Sequence, residues 1–192
     1  MTDATPWPTP DPILAAKRAD LPAFLATYDP ATTPRLTSPS TGQTVLFGAL
    51  ANQDPAARVG IAERLLDDGA DASIVTTPAR TTVLHVLLSR LRFDPVGDAR
   101  VLRRLVAGGA DVNLPDARRG APLAMLASST RISDADAEPM YRALLEHPAI
   151  DLAARASPTH TVRELVLDVA PDRRPILTAL VRELLDARGQ PS

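Results

Sequence analysis

The sequence predicts an all-α protein built from repeated helical pairs. Of its 192 residues 45% are hydrophobic but only 3% are aromatic, so the core must consist of small aliphatic side chains, which suit stacked helices. The segment LLDDGADAS at 65–73 returns as LVAGGADVN at 105–113 and, more weakly, as LEHPAIDLA at 145–153. The aspartates at positions 71, 111 and 151 recur at an interval of 40 residues. Such a regular interval is typical of a repeat protein.

Each repeat is predicted to contain two helices with apolar stripes. Apolar residues at i, i+3, i+4 and i+7 form the face of a helix that packs on a core. In the first helices this spacing appears at Leu46, Ala49 and Leu50; Leu84, Leu87, Leu88 and Leu91; Leu123, Leu126 and Ala127; and Val162, Leu165, Val166 and Val169. In the second helices it appears at Leu177, Leu180, Val181 and Leu184. Val101 and Leu105, with Leu102 and Val106 offset by one residue, form another apolar stripe.

Glycine and proline mark the predicted helix ends. Gly69 and Gly109 are predicted to end their helices, because glycine readily adopts a left-handed backbone. Proline suits the first turn of a helix, so second helices are predicted to start at Asp54-Pro55, Asp94-Pro95 and Glu138-Pro139.

We assign residues 12–188 to one repeat domain. An N-terminal tail covers 1–11 and a C-terminal tail covers 189–192. Residues 12–28 predict a degenerate capping pair, over which Trp7 is expected to fold. The repeats lie at about 12–37, 38–75, 76–114, 115–154 and 155–188.

Several of these segments resemble the ankyrin repeat. TTVLHVLL at 81–88 is similar to the T-P-L-H-x-A signature, and GGADVN at 108–113 matches the end of that repeat. GQTVLFGAL at 42–50, GAPLAML at 120–126 and THTVRELV at 159–166 occupy the same place in their own repeats. The resemblance, to bacterial-type ankyrin proteins with lengthened repeats, implies a solenoid of about five helical hairpins with projecting fingers between them.

The chain departs from the ankyrin pattern in its period and in its fingers. The interval of 40 residues exceeds the usual length of about 33. The extra residues fall within the helical hairpins, which predicts a lengthened second helix or a wider inter-helix loop. The finger glycine is present as Gly42, but in the later repeats its place is taken by Arg80, Arg119 and Thr159. Because a tight hairpin turn usually needs glycine, such a turn is not expected in those fingers.

Composition and motifs argue against several functions. The absence of cysteine excludes disulfides, thiolate nucleophiles and zinc-thiolate sites. A net charge of −2 and few aromatic residues argue against nucleic-acid binding. The sequence has no G-x-S-x-G, Gly-rich phosphate loop or H-E-x-x-H motif, and no cofactor is implied. Without a visible signal peptide or an apolar run of membrane-spanning length, we expect a cytoplasmic protein.

Several polar residues are interpreted as structural. The resemblance implies that His85 bonds backbone and the capping threonine between repeats. Asp71, Asp111 and Asp151 are interpreted as turn formers that accept amide hydrogens. Two acidic groups are interpreted as solvated loop carboxylates rather than calcium ligands, namely Asp67 with Asp68 and Asp134 with Asp136.

By the same resemblance, a partner protein is expected to bind a concave face lined by finger tips and inner helices. The finger candidates are Gln43, Pro78, Arg80, Arg118, Arg119 and His160, and the inner-helix candidates are Asn52, Arg90 and Ser128. The adjacent Arg118 and Arg119 can hold an acidic surface bidentately, although each alone also fits a solvated arginine.

The predicted function is therefore non-enzymatic protein binding by a monomer, without nucleic acid or membrane partners. Within this class, the chain is either an immunity or antitoxin-type inhibitor of a bacterial toxin or a scaffold or regulator that leaves its partner active. A purely structural assembly subunit would instead self-associate. The competing class is an enzyme with its site in the inter-helix insertions, where His147 or His160 would lie beside a carboxylate in a pocket.

Overall fold

The computed structural model describes residues 11–77, 80–169 and 171–190, which fold mainly into α-helices. The only regular sheet in these ranges is a hairpin of β1 (Val75–Thr76) and β2 (Thr81–Thr82), in which Val75 pairs with Thr82. The predicted all-α class is confirmed. The helices are α1 (Pro12–Arg18), α2 (Leu21–Leu25), α3 (Val45–Leu50), α4 (Pro55–Asp67), α5 (Val83–Leu88), α6 (Pro95–Ala107), α7 (Pro122–Ser128), α8 (Asp134–Leu145), α9 (Val162–Glu164) and α10 (Pro175–Ala187).

The helices pack in two layers. In the inner layer α1 packs on α3, α3 on α5 and α5 on α7; in the outer layer the even-numbered helices α2 to α10 pack in the same serial order. Within pairs, α3 contacts α4, α5 contacts α6 and α7 contacts α8. Each pair thus buries its apolar face against its neighbours, because a single hairpin cannot bury it alone.

In the three central pairs, the outer helix is about twice as long as the inner one. α4 and α6 each have 13 residues and α8 has 12, whereas α3 and α5 have 6 and α7 has 7. Each of the five predicted repeat segments contains one helical pair. The predicted packing of Trp7 falls outside the described residues.

Aspartate and proline begin two outer helices as predicted. The Oδ1 atom of Asp54 accepts from the Ala56 amide at 3.0 Å, and that of Asp94 accepts from the Gly97 amide at 3.0 Å. In each case the following proline occupies the first turn, where no intrahelical partner for its missing N–H is needed.

The predicted start at Glu138-Pro139 is wrong. Helix α8 begins earlier, after Ser133, whose Oγ accepts from the Asp136 amide at 3.0 Å, and Pro139 lies inside the helix. Asp134 and Asp136 therefore belong to the first helical turn rather than to a loop. In that position their negative charges interact favourably with the helix dipole. This capping, together with burial of residues such as Met140 and Leu144, outweighs the hydrogen bond lost at the proline.

Left-handed glycines end α4 and α6, as predicted. Gly69 has φ +84° and Gly109 has φ +94°. The amide of Ala70 donates to Leu65 O at 2.9 Å, and that of Ala110 donates to Leu105 O at 3.0 Å. These bonds form Schellman motifs, which satisfy carbonyl groups that the helix itself leaves free.

Most predicted stripe residues are buried, and two are exposed. Leu46, Leu84 and Leu105 are fully buried, whereas Leu91 is 63% exposed and Val169 is 52% exposed. Helix α5 ends at Leu88, so the stripe stops before its fourth position. Val169 ends a π-helical turn, Leu165–Val169, whose extra residue rotates the side chain away from the core.

The repeat aspartates are turn formers, as interpreted from the sequence. The amides of Ser73, Asn113 and Ala153 each donate at 2.8 Å to the Oδ1 atom of the aspartate two residues earlier. Asp67 and Asp68, by contrast, are not simply solvated, because they pair with Arg104 and Arg64, respectively.

A fully buried ion pair joins α4 to α6. Arg58 Nε donates to Asp98 Oδ1 at 2.9 Å and its Nη2 to Asp98 Oδ2 at 2.7 Å, and both side chains are 0% exposed. Arg58 also donates to the carbonyls of Asn52 at 2.9 Å and Arg92 at 3.0 Å. Residues 58 and 98 are 40 positions apart and so occupy the same place in adjacent repeats.

Candidate functional site

Two adjacent depressions lie along the exposed side of the inner layer. One depression of 540 Å³ includes Ser128 of α7, and a second of 500 Å³ includes Phe47 of α3. Ser89 and Arg119 line both depressions, so the two adjoin at these residues. We call the combined depression the basic groove, for the charges described next.

The charged side chains of the groove share one sign. Among the described residues that line it, every charged one is a cation, although the whole chain has a net charge of −2: Lys17, Arg90, Arg118, Arg119 and Arg131. Burial lowers the pKa of Arg90, and the charges of Arg58, Arg119 and Arg131 lower it further. The cations are therefore close enough to repel one another.

Two of these arginines are held by uncharged groups. Arg90 Nη1 donates to Ala51 O at 2.9 Å, and its Nε donates to Val86 O at 2.9 Å. Arg131 Nη1 donates to Ser89 O at 2.9 Å. Because a carbonyl carries no net charge, these bonds orient the guanidinium groups without neutralising them.

Arg118 and Arg119 project from a tight turn that Asp116 closes. The Asp116 amide donates to Gly120 O at 3.1 Å, and its Oδ1 accepts from the amides of Arg118 at 2.9 Å and Arg119 at 3.2 Å. Burial acts to raise the pKa of Asp116, but the Arg118 amide and the Arg119 charge outweigh it and lower that pKa. Gly120, with φ +75°, supplies the left-handed residue of this turn.

The Arg119 charge is only partly balanced, and Arg118 is not balanced. Arg119 Nε lies 3.7 Å from Asp116 Oδ1. Within the described part of the chain, no carboxylate forms an ion pair with Arg118, Arg90, Arg131 or Lys17. Both finger arginines are exposed, so they can meet a ligand directly.

His85 ties this turn to α5 and is fully buried. Its Nδ1 lies 2.8 Å from Thr82 Oγ1, and its Nε2 lies 3.1 Å from the Asp116 amide. The Thr82 amide also donates to Nδ1 at 3.1 Å, and Nε2 lies 3.4 Å from Gly120 O, so a neutral ring can use one nitrogen as acceptor and the other as donor. Burial lowers the pKa of His85, which favours this neutral form. The contacts agree with the structural role expected for this histidine.

Five of the nine predicted partner-binding residues line the basic groove: Gln43, Arg90, Arg118, Arg119 and Ser128. Arg80 is exposed in another finger, with φ +53°, which keeps the left-handed turn although it is not glycine. His160 is half-buried in the last finger, where its Nδ1 lies 2.9 Å from Thr159 Oγ1. Pro78 lies outside the described residues.

The prediction for Asn52 is wrong, because this side chain is only 3% exposed. Its Nδ2 donates to Ala16 O at 3.0 Å and to Ala19 O at 2.9 Å. The amide therefore satisfies carbonyls at the end of α1, and it joins the capping pair to the next repeat. Sequence position alone does not distinguish this structural use from an exposed one.

Lys17 and Arg131 are groove residues that the sequence reasoning missed. A signal for Arg131 exists, since it follows α7 closely just as Arg90 follows α5. Lys17 stands in the last turn of α1, and no pattern in the sequence shows which way that turn faces.

The histidines proposed for an enzymatic site have mainly uncharged neighbours, although His160 lies near Glu164, whose pKa is lowered by the Thr161 amide and, in part, by the His160 charge. His147 Nδ1 lies 3.3 Å from the Ala149 amide at the end of α8, and His160 contacts hydroxyl groups. Neither forms an ion pair with a carboxylate in residues 11–77, 80–169 and 171–190. These ranges contain no cluster of at least three histidine or acidic side chains that could hold a metal ion. The described helices also include none long and apolar enough to cross a membrane.

Comparison with known proteins shows similarity at the level of the fold. No family model matches the chain, and no curated protein matches it. A solved structure of a functionally unknown protein from Leptotrichia buccalis C-1013-b is similar, with a TM-score of 0.71 and 17% sequence identity. The match covers 94% of this chain and 96% of that chain, so the shared fold extends over nearly the whole of both.

Proposed function

We propose that the chain is an ankyrin-like repeat solenoid that binds a partner protein through the basic groove and performs no chemistry itself. The serial packing of helical pairs and the T-V-L-H segment at 82–85 support the repeat assignment. The position of His85 between the capping Thr82 and the next finger supports it further.

The observation that carries the binding role is a groove formed before any partner arrives. Arg90 and Arg131 are already held by backbone carbonyls, and Asp116 already fixes the turn that carries Arg118. Side chains and loops that are ordered in advance lose less conformational entropy on binding. A rigid face of this kind is suited to another macromolecule.

Filling the groove tests this function. We expect Ser128→Trp to abolish capture of a partner from a lysate of the native host, because Ser128 is exposed within the groove. Ala107→Trp is the matched control, since Ala107 is exposed at the end of the outer helix α6. Partners should be identified by mass spectrometry after capture on each variant. Equal capture by both variants would contradict the proposal.

The same capture separates the biological roles within this function. A partner that is a toxic enzyme and loses activity at stoichiometric ratio indicates an immunity or antitoxin-type inhibitor. A partner that stays active indicates a scaffold or regulator. The proposal assigns a cytoplasmic monomer, so the mass from light scattering should not change with protein concentration.

A further inference from the structure

We infer that the segment held in the basic groove is an acidic polypeptide, whose carboxylates pair with the groove cations. This inference rests on the proposed protein-binding function and names the chemistry of the partner.

The first support is the uniform charge of the groove. Lys17 and Arg90 line one depression, Arg118 and Arg131 line the other, and Arg119 lines both. The depression at the C-terminal end of the chain differs, because it contains Asp151 together with Arg163 and Arg188. Uniform charge thus distinguishes the basic groove from the C-terminal depression, and a ligand of opposite sign would relieve the repulsion.

The second support is the geometry of the cations. Four of the five are arginines, whose planar guanidinium group can bind a carboxylate through two parallel hydrogen bonds. Arg118 has no ion pair among the described residues and so has its donors available. Arg90 and Arg131 use some donors on carbonyl groups and keep the rest, because a guanidinium group has several N–H bonds.

The third support favours a polypeptide over a nucleic acid. Half-buried Ile13 and Val86 line the same depression as Lys17 and Arg90, and they suit the aliphatic parts of a peptide. Phe47, the one aromatic residue among the described lining residues, is 2% exposed. It cannot act as a platform for a base, whereas single-stranded nucleic acids are usually held by such stacking.

Direct binding of defined probes tests the inference. Fluorescence anisotropy should be measured with a short labelled peptide of alternating Glu and Leu, with the same peptide carrying Gln for Glu, and with oligo-deoxythymidine. We expect saturable binding of the Glu peptide only. Arg118→Glu should weaken it about tenfold or more, as should added salt, because the interaction is between exposed charges.

Matched variants control for folding and for general charge. Arg118→Glu removes no side-chain hydrogen bond to the residues that the structure describes, and Arg118→Gln with Arg119→Gln provides a variant without charge reversal. Arg182→Glu changes the net charge equally on the exposed side of α10, and it should leave the affinity unchanged. Unfolding curves must be the same for the variants that are compared.

Three results would overturn the inference. They are equal affinity for the Glu and Gln peptides, equal weakening by Arg118→Glu and Arg182→Glu, and tighter binding of the oligonucleotide. If Ser128→Trp abolishes partner capture while the charge variants do not affect it, the acidic partner is wrong and the protein-binding function stands. If Ser128→Trp also leaves capture intact, both fail.

Discussion

Arginines of the outer layer and of the basic groove have different partners. On the outer helices they face carboxylates: Arg104 Nη2 lies 2.6 Å from Asp67 Oδ1, and Arg103 Nε lies 3.1 Å from Glu146 Oε2. In the groove, Arg90 and Arg131 face carbonyl oxygens instead. A carboxylate balances the charge of the guanidinium group, whereas a carbonyl holds the group in place and leaves its charge unbalanced. The contrast explains how a chain with a net charge of −2 keeps a positive groove.

The outer pairs follow from the stacking of repeats. Glu63 and Asp67 lie four residues apart on α4, and Arg100 and Arg104 lie four residues apart on α6. Both cross-helix pairs join residues 37 positions apart. An acidic face of one outer helix therefore meets a basic face of the next, because i and i+4 share a helix face.

Breaking the buried ion pair should have the largest effect. Asp98→Ala leaves Arg58 buried without a counter-charge, and we expect the free energy of unfolding to fall by about 3–5 kcal/mol. Urea denaturation measures this change. The double variant Arg58→Met with Asp98→Leu should recover most of it, because it removes both charges. A loss below about 1 kcal/mol in the single variant would show that the pair is not buried as described.

Replacing a glycine by alanine should destabilise the protein more in the inner layer than in the outer layer. A Cβ on Gly48 of α3 would lie 2.3 Å from the backbone oxygen of Ile13, so α1 must move, at a cost of about 2 kcal/mol. A Cβ on Gly60 of α4 would meet only the movable end of the Leu21 side chain, at 2.9 Å. Ala is also preferred over Gly in a helix by about 1 kcal/mol, so Gly60→Ala should be nearly neutral. Thermal melts of both variants test this, and equal losses would contradict it.

His85 should make stability fall on mild acidification. Burial lowers the pKa of His85 in the folded protein. Below its pKa of about 6.5 in the unfolded chain, the unfolded state therefore binds a proton that the folded state does not bind. Stability is therefore lost as the pH falls from about 6.5 toward the lowered folded pKa, and it is unaffected above that window. Unfolding midpoints across this range should depend less on pH in His85→Gln. An unchanged pH dependence would remove His85 as its source.

An exposed outer pair should contribute least. Arg142 Nη2 lies 2.8 Å from Glu138 Oε1, and their side chains are 48% and 36% exposed. We expect Glu138→Gln to lower the free energy of unfolding by about 0.5 kcal/mol or less, because water and salt screen the pair. Concentrated salt should remove the difference between variant and wild type. A loss as large as that of Asp98→Ala would show that exposure does not separate these pairs.

Local patterns in the sequence predicted most helices but not all their limits. The stripe at Leu84 and Leu87 is buried, and the glycine stops at Gly69 and Gly109 are present, because both depend on residues a few positions apart. The predictions for Leu91 and Pro139 fail for a related reason. A helix can stop before its stripe ends, as α5 does, and tertiary burial can hold a proline inside α8.

The candidate site could be predicted only in part. Finger position was enough to find Arg118 and Arg119, since a turn at the end of a hairpin projects its side chains. It was not enough for Asn52, whose amide bonds carbonyls 33 and 36 residues earlier in the chain. Lys17 joins the groove through the packing of α1 on α3, which no local pattern describes.

The sequence by itself determined the helical class, the interval of 40 residues and the caps of α4 and α6, because periodicity, glycine and aspartate act over a few neighbouring residues. Only the tertiary structure decided which arginines form ion pairs with a carboxylate and which contact uncharged groups instead. That choice depends on groups such as Arg58 and Asp98, which lie 40 residues apart in the chain and 2.7 Å apart in space. Contacts of this kind exist only after the repeats have stacked.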